Sequence, residues 1–235
     1  MLNLLIVSML TVSVGNLLAA PFDVDSESVK KVKAERTIEK AIIALDNVME
    51  DPEQSIPQSL INQSEGIVIF PGAFKVALGT IGGQGGRGIA LVRQEDGTWS
   101  NPFFVSLGQG SLGFQIGVQS SGIVMLFKHR EDILEIDESE FNLGGDVAVA
   151  AGPVSRGSSS GTDIKFEREI YSYFTSRGLF AGVSLNGGVL TYNDTYSDAL
   201  YDRYDVDRDE ILNLIETPYC EEVNDLIQAL NNYCE

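Results

Sequence analysis

From Ile67 to Tyr192 the chain runs as a series of short apolar stretches, IVIF, GIALV, GFQIGVQ, GIVMLF, DVAVAA, IYSYF, LFAGVSL and GGVLTY, broken by glycine and by turn signals such as EDGTW and NDT. Stretches this short, rich in β-branched and aromatic residues and bounded by turn formers, read as strands. Glycine inside a strand weakens it and marks a bulge, a sharp bend or a close backbone approach. The glycines cluster at 82–88, 108–117, 144–152 and 178–188 with no constant spacing, which argues against a solenoid array. The expectation is an α+β fold in one domain: a Gly-rich, strongly curved, mostly antiparallel sheet, barrel-like at its extreme, flanked by N- and C-terminal helices.

The flanks follow a different period. SESVKKVKAERTIEKAIIALDNVM places Val29, Val32, Ile38, Ile42 and Leu45 at helical intervals, with Ser26 as a cap, and Pro57 suits the start of a short helix through QSLINQS. Within GIVIFPGAFK a turn at Pro71 and a helix or turn around Lys75 are expected, and KHREDILEID suits a short helix. Residues 156–163, RGSSSGTD, read as a surface loop, and helical spacing returns over residues 194–235. If the last helix is continuous, Cys220 and Cys234 lie about 21 Å apart, too far for a disulfide.

The first twenty residues, MLNLLIVSMLTVSVGNLLAA, resemble a secretory signal peptide, leaving residues 24–235 as the domain with its C-terminal helical extension. That reading implies an exported protein, periplasmic, membrane-associated or secreted. With 34 acidic against 16 basic residues the net charge is -18, which argues against a nucleic-acid partner and weighs against an anionic membrane unless a local basic patch intervenes.

Catalytic patterns are absent from the sequence. The G-x-G-x-x-G string at Gly83, Gly85 and Gly88 opens the β-like IALVR and not the helix whose N-terminus would hold a pyrophosphate. His129 is the sole histidine, and SLGQGSLG lacks the spacing of a nucleophile elbow, so no enzyme and no cofactor are expected. In DVDRDEILNLIE, Asp205, Asp207, Asp209 and Glu216 occupy calcium-loop positions, but Glu210 replaces the glycine of the sharp turn, so helix capping by these acids is the better reading.

Basic residues are scarce, yet Lys30, Lys31, Lys33, Arg36 and Lys40 concentrate on the first predicted helix, with Lys33, Arg36 and Lys40 on one side. A basic amphipathic helix can lie in a membrane interface, while Glu35 and Glu39 offset part of its charge.

Four segments in order, GIVIFPGAFKVALGTIGGQGGRGIALV, DGTWSNPFFVSLGQGSLGFQIGVQSSGIVMLF, FNLGGDVAVAAGPVS and IYSYFTSRGLFAGVSLNGGVL, resemble the SYLF family, also called the Ysc84-like or DUF500 domain, in its bacterial exported form. The resemblance implies non-enzymatic binding of membrane lipid, phosphoinositides in eukaryotic members, through the Lys30 to Lys40 helix, with Lys75 as a further basic position. Phospholipid headgroups are the expected partner. An envelope-associated structural or protein-interaction role through the acidic face from Asp194 to Glu210 is the alternative, and actin is an improbable partner for an exported chain. One departure stands out: DALYDRYDV carries Asp202 or Asp205 where the family has a glycine.

Overall fold

The computed structural model describes residues 26–51, 55–137, 140–153, 166–175, 185–214 and 220–234, with the backbone alone for 75–81 and 111–119. The expected signal peptide, the loop 156–163 and Glu216 lie outside the described residues. Helix α1 (Ser26–Met49) and the short α2 (Gln58–Gln63) precede two long strands, β1 (Gly66–Val92) and β2 (Phe103–Phe127). There follow α3 (Arg130–Leu134), β3 (Phe141–Asn142), β4 (Val149–Ala151), β5 (Ile170–Phe174), β6 (Gly188–Tyr192), α4 (Asp194–Tyr201), α5 (Arg208–Leu212) and α6 (Glu221–Cys234). The α+β class and the helices at both ends are as the sequence predicts.

The sheet is curved by folding a ribbon. β1 and β2 pair antiparallel from Gly66 opposite Phe127 to Ala90 opposite Phe103, with register shifts between Phe70 and Ala73 and between Gly79 and Ile81. This ribbon doubles back on itself, because the Arg93 N–H donates to the Glu65 carbonyl at 2.8 Å, joining the two ends of β1. The halves of β1 therefore lie side by side in the middle of the sheet. β6 pairs with the first half of β2, β5 with the second half, and β3 and the parallel β4 complete the two edges.

The side-by-side packing accounts for the glycines. A side-chain carbon on Gly88 would stand 2.5 Å from the Ile69 carbonyl oxygen and 2.6 Å from the Phe70 ring, and one on Gly86 would stand 3.1 Å from the Ala73 Cα. The helix or turn expected around Lys75 does not form. Pairing continues through Lys75 opposite Gln119, and Pro71, which has no N–H to give a ladder, falls in the first register shift.

Both faces of the sheet are covered, which is why the apolar runs do not alternate with polar residues. On one face Ile67, Ile69, Ile89, Leu91, Phe104, Val124 and Leu126 pack with Ile38 and Leu45 of α1, Leu60 of α2 and Leu226 of α6. On the other, Val68, Phe70, Ala90, Val92, Phe103 and Met125 pack with Ile133 of α3, Phe141 of β3 and Ile211 of α5. α6 is continuous over Glu221–Cys234, and Cys220 and Cys234 are free thiols as its geometry requires. Burial pushes the Cys220 thiol up to about 11.

Two outcomes follow for stability. Gly88→Ala forces a methyl into the Ile69 carbonyl and Phe70 ring, so the unfolding midpoint in urea falls by the equivalent of about 1–3 kcal/mol. Several tyrosines also donate to buried acceptors: Tyr192 to the Val206 carbonyl at 2.6 Å, Tyr201 to the Pro102 carbonyl at 2.7 Å and Tyr173 to the Pro153 carbonyl at 3.0 Å. Burial raises all three hydroxyls, Tyr192 to about 12. The folded protein then holds these protons more tightly than the unfolded chain, so their contribution is complete below about pH 10 and declines as pH rises toward 12. Urea midpoints measured at pH 9 and pH 11 are expected to show the lower stability at pH 11.

Candidate membrane-contact surface

The seam of α1 is built from small residues. Ala34, Thr37, Ile38, Ala41, Ala44, Leu45 and Val48 are buried, a spacing that turns one side of the helix to the sheet. Val32, expected on the buried side, is instead 53% exposed, as is Ile43. The small side chains win because the sheet comes close: a side-chain carbon on Gly122 of β2 would lie 3.2 Å from the Ala44 methyl.

The two flanks of α1 make different contacts, and α4 reaches both. On one, Lys31 pairs with Asp202 just beyond α4, and the Asp46 carboxylate accepts from the Tyr233 hydroxyl of α6 at 2.8 Å. On the other, Thr37 accepts from the Arg87 guanidinium at 3.1 Å, and that guanidinium lies 3.6 Å over the Tyr196 ring. Lys33 and Lys40 stand one turn before Thr37 and Ala44, on this second flank, and Arg36 stands between it and the solvent crest.

The expected basic set therefore divides. Lys30 pairs with Glu27 at 2.8 Å and Lys31 with Asp202, so both are engaged within the molecule. Lys33, Arg36 and Lys40 are without an ion-pair partner among the described residues, and Val32 and Ile43 are exposed beside them. Lys75 is on β1 and not on the helix, opposite Gln119. Its neighbour Phe74 is 57% exposed. Sequence reasoning put the five cations on one helix, where the structure has them, but did not place Val32, Ile43 or Phe74 at the surface. Alanines at 34, 41 and 44, taken as buried positions, would have turned Val32 outward.

The acidic segment is organised otherwise. The Asp207 side chain accepts from the Glu210 N–H at 2.6 Å and caps α5, while Asp209 pairs with Arg208 at 2.7 Å. Among the described residues no three His, Cys, Asp or Glu side chains are grouped to hold a metal ion. The Asp198 carboxylate accepts from the Asp205 and Val206 N–H groups at 3.0 and 2.9 Å, fixing a loop whose tip, Tyr204, is 96% exposed. Asp202 and Asp205 both have left-handed backbones, φ 49° and 59°, the conformation glycine adopts most readily. A cleft of about 470 Å³ beside this loop is lined by Asp137, Asp194, Asp205, Asp207 and Asp209 with Arg208.

Residues 108–233, more than half of the chain, match the family model described as "Ysc84: Las17-binding protein actin regulator". The chain belongs to the Ysc84 family. It is 30% identical over 186 residues to SH3 domain-containing YSC84-like protein 1 of Xenopus laevis, covering 78% of this chain and 54% of that protein. Its human counterpart is 29% identical over 185 residues, covering 78% and 53%. Protein YSC84 of Saccharomyces cerevisiae is 28% identical over 173 residues, covering 72% and 36%. The chain thus spans about half the length of the vertebrate relatives it matches.

The matched family is one of non-catalytic binding domains, and its model is described as a Las17-binding actin regulator. Two expectations are overturned. These relatives are vertebrate and yeast proteins, so the likeness is to eukaryotic Ysc84-like proteins and not to a bacterial exported branch, and the exported, periplasmic or secreted location expected from the first twenty residues does not hold. The family's description as an actin regulator likewise overturns the expectation that actin is an improbable partner.

Proposed function

We propose that this Ysc84-family domain binds the surface of an anionic phospholipid membrane through the outer side of α1, with Lys33, Arg36 and Lys40 on the headgroups and Val32 and Ile43 at the acyl boundary. The observation that carries the reading is that these three cations have no ion-pair partner among the described residues while two large apolar side chains beside them are more than half exposed. Charged residues that serve folding are commonly paired, and exposed apolar ones are commonly scattered. Here both kinds share one stripe, as an interfacial helix requires. Lys30 and Lys31, held by Glu27 and Asp202, drop to a supporting role.

The magnitude is testable. Each cation near an anionic surface contributes about 1 kcal/mol, so removing three costs about 3 kcal/mol, roughly a hundredfold in affinity. Sedimentation with vesicles of phosphatidylcholine and phosphatidylserine is expected to weaken by that order in the K33Q/R36Q/K40Q variant and in high salt, with the urea midpoint unchanged. Equal sedimentation by variant and wild type rules out the α1 mechanism.

A second reading, contact with a protein partner through the acidic loop, is favoured by the 96% exposure of Tyr204 on a backbone held by Asp198. The family's printed association with Las17 and actin gives the partners to try. Tyr204→Ala is expected to reduce binding to purified Las17 or to actin filaments at least about tenfold on this reading, since exposed aromatic anchors dominate such contacts. An unchanged affinity for both excludes the loop.

A further inference from the structure

Arg87 of β1 is a half-buried cation with most of its donors unused. Its Nε and Nη2 groups both reach the Thr37 hydroxyl, at 3.3 and 3.1 Å, and its guanidinium lies 3.6 Å over the Tyr196 ring. The Thr37 hydroxyl gives its own proton to the Lys33 carbonyl at 2.7 Å, so it meets Arg87 as an acceptor. Both Nη1 hydrogens and one on Nη2 have no partner among the described residues. Nor does any carboxylate among those residues pair with the group.

Other half-buried arginines show what folding alone asks for. Arg93 also stacks on a ring, Trp99 at 4.2 Å, but it donates to the carbonyls of Ile61, Ser64 and Gly97 and to the Cys234 sulfur. Arg208 donates to the carbonyls of Leu134 and Ile136 and to the Asp209 carboxylate. A guanidinium taken partly out of water costs stability unless its donors are filled. A neutral hydroxyl and a ring face occupy one edge and one face of Arg87 and leave its charge without a counter-charge.

Acids that could have supplied that partner turn elsewhere. Asp194 and Asp198 stand two residues to either side of Tyr196, yet Asp194 accepts from Thr195, and Asp198 from the Asp205 and Val206 N–H groups. Glu35 and Glu39 are each two positions from Thr37, about 200° around α1. Lysines take the near side instead. Lys33 and Lys40, four residues before and three after Thr37, follow it along one side of the helix and are exposed, without an ion-pair partner among the described residues. On β2, Ser106 stands opposite Arg87, and Gly108, next on that face, is exposed with nothing within 4 Å of where a side-chain carbon would stand.

We propose that Arg87, with Lys33 and Lys40, grips the phosphate of a lipid headgroup, and that Thr37 and Tyr196 position the guanidinium for it. The inference rests on the α1 reading and deepens it, from a basic stripe that attracts any anionic surface to a directed contact with one group. A tetrahedral phosphate suits donors arriving from several directions. Its oxygens take two parallel hydrogen bonds from the free end of the guanidinium and further ones from the ammonium groups on their flexible stems. A carboxylate has only two oxygens to share among the three cations.

The Nε–H nitrogen resonance of Arg87, identified by its loss in Arg87→Lys, reports on the group directly. Inorganic phosphate is expected to move it saturably in the wild type, while sodium chloride of the same ionic strength does not. In phosphatidic acid no cation of the headgroup itself covers the phosphate. With vesicles of phosphatidylcholine and phosphatidic acid, R87K is expected to sediment about tenfold more weakly than the wild type, because lysine keeps the charge and loses the fork. R87K also loses the brace to Thr37, so the two proteins are compared at a temperature where circular dichroism shows both folded. If phosphate leaves the resonance unmoved, any weakness of R87K comes from a displaced α1 and the assignment is refuted, whereas the α1 contact stands as long as the wild type sediments. If phosphate moves the resonance but R87K sediments as the wild type does, Arg87 takes a soluble phosphate and the headgroup assignment is overturned. If the wild type sediments with no vesicle, the α1 reading and this assignment fail together.

Discussion

The close approach of the two halves of β1 is the contact on which the rest of the architecture depends. Where Gly88 passes the Ile69 carbonyl and the Phe70 ring there is no room for a side-chain carbon, and Gly86 passes Ala73 almost as tightly. Because the ribbon folds back, its halves form one sheet with two covered faces, one under α1, α2 and α6 and the other under α3, α5 and β3. The same fold sets where α1 crosses. A helix whose seam is Ala34, Thr37, Ala41 and Ala44 can approach a strand only where that strand offers glycine, and Gly122 is where it does. The crossing point then decides how α1 meets α4 and α6.

Net charge alone would argue against an anionic membrane, but a binding surface responds to the charge within its screening distance. At physiological salt that distance is about 8 Å, less than the 10–12 Å diameter of a helix with its side chains. Acidic residues farther than that from Lys33 and Lys40 are therefore largely screened from a surface touching those two cations. What counts locally is the absence of acids from β1 and β2 and the lack of ion-pair partners, among the described residues, for three cations on α1. Glu39, which shares the exposed side, subtracts from that surface without reversing its sign.

Much of this was legible in the sequence where the signal is local. Helical spacing gave α1 and α6, Asp207 acts as the cap its position suggested, and a continuous last helix keeps Cys220 and Cys234 apart. One departure from the family pattern was also informative: of Asp202 and Asp205, one stands where glycine was expected, and both have the left-handed backbone that glycine favours. The strands themselves were misjudged in length, because glycine read along the chain looks like a terminator. Within the ribbon most glycines keep a partner in the register, so pairing passes through them and only the curvature changes. Which side of α1 is buried was hidden for a similar reason. A scale that rewards large apolar residues selects Val32 and passes over Ala34 and Ala41, whereas the buried side was chosen by how closely the backbones had to approach.

The family match begins at residue 108 and so includes most of β2 while leaving out α1 and β1. Structure restores what that boundary omits. Nearly every residue of β2 is matched in register by one of β1, and the side-by-side halves of β1 are the middle of the sheet whose flanks β5 and β6 complete. A chain with β2, β5 and β6 in these positions needs a partner strand of the same length and the same sharp bend, hence glycines at the same levels. The fold thus extends through β1 by geometric necessity. α1 is under a different constraint: its buried seam answers to the glycines beneath it, but nothing in the core dictates that Lys33, Arg36 and Lys40 be basic or that Val32 and Ile43 be apolar. Residues that folding leaves free to vary, and that nonetheless combine charge with exposed apolar surface on one stripe, are the ones on which the proposed membrane contact rests.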